Sequence, residues 1–140
     1  MKTKLAWMAV TCILAVALAS GCATAGKGPS DEELIKGALA EWKAAIVAKN
    51  VDQLMAVYSE SYKDAEGRSK ADMKTFVSDA ISQGYLDGIK AEVESATLTI
   101  EGPKATASPV SLAGVAGNMT LSLAWAKEEG AWKIIGVDTY

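Results

Sequence analysis

Few side chains in this sequence could do covalent or acid–base chemistry. The 140 residues include two cysteines, Cys12 and Cys22, and no histidine. Without histidine there is no Ser-His-Asp or Cys-His triad, no His-Asp pair and none of the commonest zinc sites. We therefore expect no metal and no cofactor. What remains is thiol chemistry at a cysteine, or a carboxylate that acts alone as a base.

Cys22 ends a segment with the layout of a signal peptide. Lys2 and Lys4 precede the uncharged residues 5–19, and such a positive start followed by an apolar run directs export. The run is shorter than the roughly 20 residues that a helix needs to cross a bilayer core, and small residues follow it. The sequence predicts an exported chain without a permanent membrane span.

Residues 18–22, Leu-Ala-Ser-Gly-Cys, resemble the lipobox of bacterial lipoproteins, although Ala19 stands where the pattern prefers leucine. The resemblance implies that diacylglycerol is joined to the Cys22 thiol and that the chain is cut before this residue. Two or three acyl chains hold a protein on a membrane firmly, since each buried methylene contributes about 0.8 kcal/mol. The alternative is a plain secretory signal whose cysteine happens to lie near the cut.

Cleavage before Cys22 would divide the chain into three parts: a signal peptide at 1–21, an acylated cysteine with a flexible tether at 22–29, and one domain at 30–140. Cys22 would then be the only cysteine, so no disulfide could form within the mature chain. Ala23 is not the aspartate linked to inner-membrane retention in lipoproteins. We expect the periplasmic face of the outer membrane if the organism has two membranes.

The charge of the chain argues against nucleic acid as a partner. Fourteen basic and seventeen acidic residues give a formal charge of −3. Loss of Lys2 and Lys4 with the signal leaves twelve basic residues and a charge of −5. Phosphate backbones are bound by clustered Lys and Arg, whereas Arg68 is the single arginine here. We expect membrane contact through the lipid on Cys22 alone.

Three amphipathic helices are predicted in the first half of the domain, because apolar residues recur there at spacings of three and four. Their predicted N-caps are Ser30, Asn50 and Ser69. A side chain that completes a cap-like pair follows three residues later in each case, namely Glu33, Gln53 and Asp72. The second helix is expected to continue to the turn at residues 64–67, and Gly84 to end the third.

The second half alternates with the period of strands. A strand is predicted over residues 89–100 with a bulge near Glu94 and Ser95, and another over residues 104–112, where Pro109 requires an edge or bulge position. A strand over residues 119–125, a hairpin turn at 127–130 and a last strand over 131–138 follow. Helices before antiparallel strands indicate an α+β domain, with helices covering one face of a curved sheet.

Two segments resemble the nuclear transport factor 2-like superfamily: residues 42–62, WKAAIVAKNVDQLMAVYSESY, and residues 127–135, KEEGAWKII. The resemblance implies a cystatin-like cone in which a strongly bent sheet wraps around a long helix. It also implies a pocket at the wide end, a small apolar ligand there, and a homodimer through the sheet. The candidate wall residues are Trp42, Tyr58, Phe76, Trp125 and Trp132. Such residues also serve simply as core.

Enzymes of this superfamily, among them isomerases and dehydratases, place an acid or base in the pocket. The resemblance puts Asp64 at the position of the general base, and Trp42 where an isomerase has its oxyanion-binding tyrosine. Indole is a weak substitute donor, and Asp64 lies in a charged turn. Two hypotheses follow: a lipid-anchored binding or interaction module, and a small-molecule isomerase or dehydratase that uses Asp64.

Overall fold

The computed structural model describes residues 28–140, which form three helices followed by five strands of one antiparallel sheet. The helices are α1 (Asp31–Val47), α2 (Val51–Ala56) and α3 (Lys70–Ser82). The strands are β1 (Lys90–Glu92), β2 (Thr97–Glu101), β3 (Lys104–Gly114), β4 (Gly117–Glu128) and β5 (Ala131–Thr139). The predicted signal peptide and Cys22 lie outside the described residues. Within 28–140, no helix combines the length and apolar content needed to cross a bilayer.

All three helices begin at the caps that the sequence predicts. Ser30 accepts a hydrogen bond from the N–H of Glu33 at 3.2 Å, and the Glu33 carboxylate accepts one from the Ser30 N–H at 2.7 Å. Ser69 and Asp72 form the same reciprocal box at α3, and Asn50 caps α2. Each cap satisfies backbone N–H groups that have no partner inside the helix, and contributes about 1 kcal/mol.

The second helix is shorter than predicted. It ends at Ala56, and residues 57–63 run beside β5 instead of continuing the helix. Their backbone groups bond to that strand: Ser59 N donates to Ile134 O at 2.9 Å, and Lys63 N donates to Ile135 O at 3.1 Å. Pairing with a distant strand thus overrides the helical spacing of the side chains.

The sheet is bent by irregular pairing. The strand order is β1-β3-β4-β5, with β2 also paired to β3. Register shifts lie between Ala107 and Val110 on β3, opposite β4, and at Ile135 on β5, opposite Ala124 and Trp125 of β4. Each shift bends the strand that carries it. Pro109 lies in the first of these, so of the two positions predicted for this proline, edge or bulge, the structure shows the bulge.

The prediction of a single strand over residues 89–100 is wrong. Two strands, β1 and β2, stand there, joined by a turn in which Ala96 N donates to Val93 O at 3.1 Å. Both pair with β3, β1 near its end and β2 near its start. The phase slip at Glu94 and Ser95 therefore marks a break between strands and not a bulge within one.

The core lies between the helices and the inner face of the sheet. On the sheet it is built by alternate residues of β3, β4 and β5, and on α1 by residues on one stripe. The expected α+β architecture, three helices on a curved antiparallel sheet, is confirmed. The positions of these helices and strands determine which of the candidate side chains are in contact.

Candidate functional site

Four of the five predicted wall residues lie together inside the cone. Trp42 comes from α1, Tyr58 from the segment after α2, Trp125 from β4 and Trp132 from β5. Their exposed fractions are 1%, 5%, 0% and 3%, and all belong to the one core cluster. These four side chains therefore belong to the buried core, in the part of the domain where the resemblance implied a pocket.

Trp42 and Tyr58 are held by one another. The Trp42 indole Nε1 donates to the Tyr58 hydroxyl at 3.3 Å, and the Tyr58 ring meets Tyr62 edge to face, with centroids 5.0 Å apart. Burial raises the pKa of Tyr58 to about 12, although the bond from Trp42 opposes this shift. Trp42 thus donates to a neighbouring side chain, where the isomerase hypothesis required it to donate to substrate.

Tyr62 belongs to the same group and was missed by the sequence prediction. It is 1% exposed, and its hydroxyl has no hydrogen-bond partner among the described residues; the same holds for the indole Nε1 of Trp125. Burial also raises the pKa of Tyr62, so its hydroxyl stays protonated. We call Trp42, Tyr58, Tyr62 and Trp125 the aromatic interior.

Trp132 lies at the margin of this group and ties the last hairpin to α1. Its Nε1 donates to Asp31 Oδ1 at 3.0 Å, and Lys127 Nζ donates to the same oxygen at 2.8 Å. Lys127 first, and Trp132 second, hold the pKa of Asp31 below its usual value. The indole N–H of Trp132 is thus engaged by the contact between the last hairpin and α1.

Phe76, the fifth predicted wall residue, lies outside the interior. It is 52% exposed on α3. Met73 and Val77, one turn apart, are the buried residues of α3, a helix that packs on α2. Phe76 is left on the flank, where the Arg68 guanidinium lies 4.8 Å from its ring centroid.

Asp64 is engaged by its own loop, residues 63–69, which we call the Asp64 loop. One oxygen accepts from the backbone N–H groups of Glu66 at 3.0 Å and Arg68 at 2.9 Å, and the other accepts from Arg68 Nε at 2.6 Å. Burial would raise the pKa of Asp64, but these bonds, with Arg68 foremost, outweigh it and hold the pKa below the usual 3.8. A general base needs free lone pairs and a pKa nearer neutrality. This carboxylate instead closes a loop.

A second polar cluster joins the segment after α2 to the end of β4. The buried Ser59 donates its hydroxyl to Glu128 Oε1 at 2.6 Å, shares a hydrogen bond with the Ser61 hydroxyl at 2.9 Å, and accepts from Ser61 N at 3.0 Å. No local sequence pattern predicts the contact between Ser59 and Glu128, because 69 positions separate them. The cluster fixes residues 57–63 beside the hairpin.

An open groove lies on the outside, between α2 and α3, with a volume of about 410 Å³. The ion pairs Lys70–Glu60 and Lys74–Asp52 bridge it, and the acid of each pair is largely exposed. Its apolar floor is limited to Met55, Ala56 and Ala71. Within residues 28–140, no three His, Cys, Asp or Glu side chains cluster as metal ligands.

Comparison with known proteins identifies the fold and no family. No family model and no curated protein matches the chain. A protein of unknown function with a cystatin-like fold from Nostoc punctiforme superimposes with a TM-score of 0.64 at 13% identity, over 81% of this chain and 93% of that one. An NTF2-like protein with a cystatin-like fold from Novosphingobium aromaticivorans gives 0.60 at 17% identity, over 78% and 80%.

Bd1075 of Bdellovibrio bacteriovorus gives a TM-score of 0.66 at 11% identity over 76% of this chain, which spans only 40% of the length of that protein. At such identities the likeness concerns the backbone and carries no activity with it. The chain has the cystatin-like fold of nuclear transport factor 2-like proteins.

Proposed function

We propose that the chain is a lipid-anchored protein of the cell envelope, and that its domain is an interaction module working through its outer surface. The observation that carries this proposal is the burial of the aromatic interior. Trp42, Tyr58, Tyr62 and Trp125 are each no more than 5% exposed, so these rings face other core side chains and little of their surface is open to a small molecule from solvent.

The engagement of Asp64 argues in the same direction. An isomerase or dehydratase of the alternative hypothesis would need this carboxylate to face a substrate. Its oxygens accept three hydrogen bonds from the Asp64 loop, and its pKa is lowered. Active-site bases are typically shifted toward neutrality instead.

The anchor is supported by residues 18–22 and by the position of the domain relative to them. The first helix begins at Asp31, so eight residues separate Cys22 from the folded part. That length spans at most about 30 Å when extended. An acylated Cys22 would therefore keep the domain close to the membrane surface.

Mass spectrometry of the chain purified from membranes tests both parts at once. The denatured chain should begin at Cys22 and carry the mass of a diacylglyceryl group and any amide-linked acyl chain. The native mass should exceed the denatured mass only by the mass of additional polypeptide chains, if any are bound. A bound small molecule in the native spectrum would contradict the proposal drawn from the buried aromatic interior.

Two matched cysteine variants of the full chain test the anchor separately. Cys22→Ser should abolish acylation and release or mislocalise the domain in fractionated cells, while Cys12→Ser should leave acylation and membrane retention unchanged. Retention of Cys22→Ser at the level of the parent chain would refute the anchor. Circular dichroism of each variant would establish that the domain remains folded.

A further inference from the structure

The groove between α2 and α3 carries two ion pairs in a row. Lys74 Nζ donates to Asp52 Oδ1 at 2.8 Å. Lys70 Nζ donates to Glu60 Oε1 in the same way. Both lysines belong to α3, whereas the acids belong to α2 and to the segment that follows it. One wall of the groove is therefore cationic and the other wall is anionic.

These four charged groups have unused hydrogen-bonding capacity. Each side chain forms one hydrogen bond among the described residues. An ammonium group has three N–H donors, and a carboxylate has about four acceptor sites. The side chains of Glu60 and Asp52 are 90% and 85% exposed, so their free acceptor sites are accessible from solvent. A ligand can therefore add to both ion pairs without breaking either of them.

The spacing of the two ion pairs sets the length of such a ligand. Lys70 and Lys74 lie four residues apart on α3, and four residues of helix rise about 6 Å. The two pairs are thus separated by about 6 Å along the groove. An extended peptide spans at most about 3.5 Å per residue. The terminal charges of one amino acid are therefore too close together to reach both pairs, whereas those of a dipeptide match the spacing.

The floor of the groove is suited to small apolar side chains. It is formed by Met55, Ala56 and Ala71, and the groove has a volume of about 410 Å³. Small-molecule sites usually have volumes of about 300–1,000 Å³, so this groove lies at the lower end of the range. Methyl-sized side chains can contact this floor while the charged ends of the ligand stay at the walls.

We propose that this groove binds a zwitterionic dipeptide with small apolar side chains, whose carboxylate accepts from Lys70 and whose ammonium donates to Asp52. A ligand with charge of one sign would leave one wall without a partner. Lys70 takes the carboxylate because its side chain, 22% exposed, is the least exposed of the four, and partly buried charges are screened least. The site rests on the outer-surface role proposed above and is independent of the lipid.

Titration of alanyl-alanine into the full chain in detergent micelles tests the proposal. The methyl group of Met55 in the floor is the probe, observed by NMR after isotope labelling of methionine methyl groups. Met119 on β4 is the internal reference, because it lies outside the groove. Exposed ion pairs are weak, so we expect a Kd in the millimolar range. A ligand this weak dissociates during purification, and the titration can therefore fail or succeed independently of the native mass.

Peptides that lack one charge are the matched ligands. N-acetyl-alanyl-alanine has no ammonium, and alanyl-alanine amide has no carboxylate. Each should bind about two- to fivefold more weakly than alanyl-alanine, because one ion pair is lost. An equal Kd for all three peptides, or no shift of the Met55 signal in any titration, would overturn the proposal. A shift of Met119 as large as that of Met55 would indicate non-specific contact and would overturn it as well.

Two variants place the binding in the groove. Lys70→Gln removes the cation that holds the carboxylate and should weaken binding of alanyl-alanine about two- to fivefold. Lys36→Gln is the matched control, because Lys36 pairs with Glu32 on the surface of α1, and it should leave the Kd unchanged. Ala71→Leu keeps all four charges but occupies the floor, and it should also weaken binding. Circular dichroism checks that each variant is folded. Unchanged binding in both Lys70→Gln and Ala71→Leu would contradict this site.

Discussion

The aromatic interior and the Asp64 loop carry side chains that the family resemblance assigns to one pocket, yet they are built on opposite principles. The interior is buried and largely apolar, and it leaves two polar atoms, the Tyr62 hydroxyl and the Trp125 indole Nε1, without partners among the described residues. In the Asp64 loop, both carboxylate oxygens of Asp64 are engaged by neighbouring donors.

The two regions use their side chains differently. The aromatic side chains pack into the core, and the Asp64 carboxylate closes a loop. Packing then dominates stability in the first region, and hydrogen bonds to a charge dominate in the second. Substitutions in the two regions should therefore change the free energy of unfolding by different amounts and with different pH dependence.

The largest effect is expected in the interior. Trp125→Ala should lower the free energy of unfolding by about 3–5 kcal/mol, since Trp125 is fully buried and the cavity would be lined on all sides. Phe76→Ala is the matched control: it removes an aromatic ring that is 52% exposed and should lower stability by less than about 1 kcal/mol. Urea unfolding measures both. Equal losses would contradict the separation of Phe76 from the interior.

This contrast also marks what the sequence could and could not predict. The helix caps Ser30, Asn50 and Ser69 act within three residues, so local patterns suffice for them. The end of α2 was not predictable in this way, because Tyr58 continues the helical spacing while its backbone pairs with Ile134. Likewise, the break between β1 and β2 depends on where each pairs along β3.

For the site, periodicity identified aromatic residues but not their side of the helix. Met73, Phe76 and Val77 all fit one apolar stripe, and only packing on α2 decides that Phe76 is left out. Tyr62 was available as a candidate, since it lies four residues after Tyr58 in the segment that carries the resemblance. Ser59 had no such signal, because its partner Glu128 is distant in the chain.

A smaller effect is expected in the Asp64 loop. Asp64→Asn should lower the free energy of unfolding by about 1–3 kcal/mol. The amide oxygen can still accept from the backbone N–H groups, but the new NH2 donor then faces the Arg68 Nε–H donor, which loses its charged acceptor. Glu66→Gln is the control. Glu66 also pairs with Arg68, but it is 70% exposed, and we expect a change of at most about 0.5 kcal/mol.

The pH dependence identifies the charge as the cause. Because the pKa of Asp64 is lower in the folded chain than its usual 3.8, its contribution is complete above that value and is lost as pH falls through the lowered pKa. The stability difference between the parent chain and Asp64→Asn should therefore shrink below about pH 4. A difference that stays constant down to pH 2 would mean that shape, and not charge, is responsible.

The smallest and most discriminating comparison lies inside the aromatic interior. Tyr58→Phe should lower stability by about 1–2 kcal/mol, because it leaves the buried Trp42 indole N–H without its acceptor. Tyr62→Phe removes a buried hydroxyl that already lacks a partner, so stability should stay within about 0.5 kcal/mol of the parent or rise. Thermal unfolding of the two variants side by side measures this.

Alkaline titration separates the Tyr58 hydroxyl from packing effects. Burial raises the pKa of Tyr58 from 10.0 to about 12, so the folded chain keeps the proton that the unfolded chain loses. This contribution to stability is complete below pH 10 and is lost as pH rises toward about 12. Tyr58→Phe removes it, and the variant should lose less stability than the parent over this interval. If both lose stability equally above pH 10, the Tyr58 hydroxyl is already accessible to solvent, and the interior is more open than its packing implies.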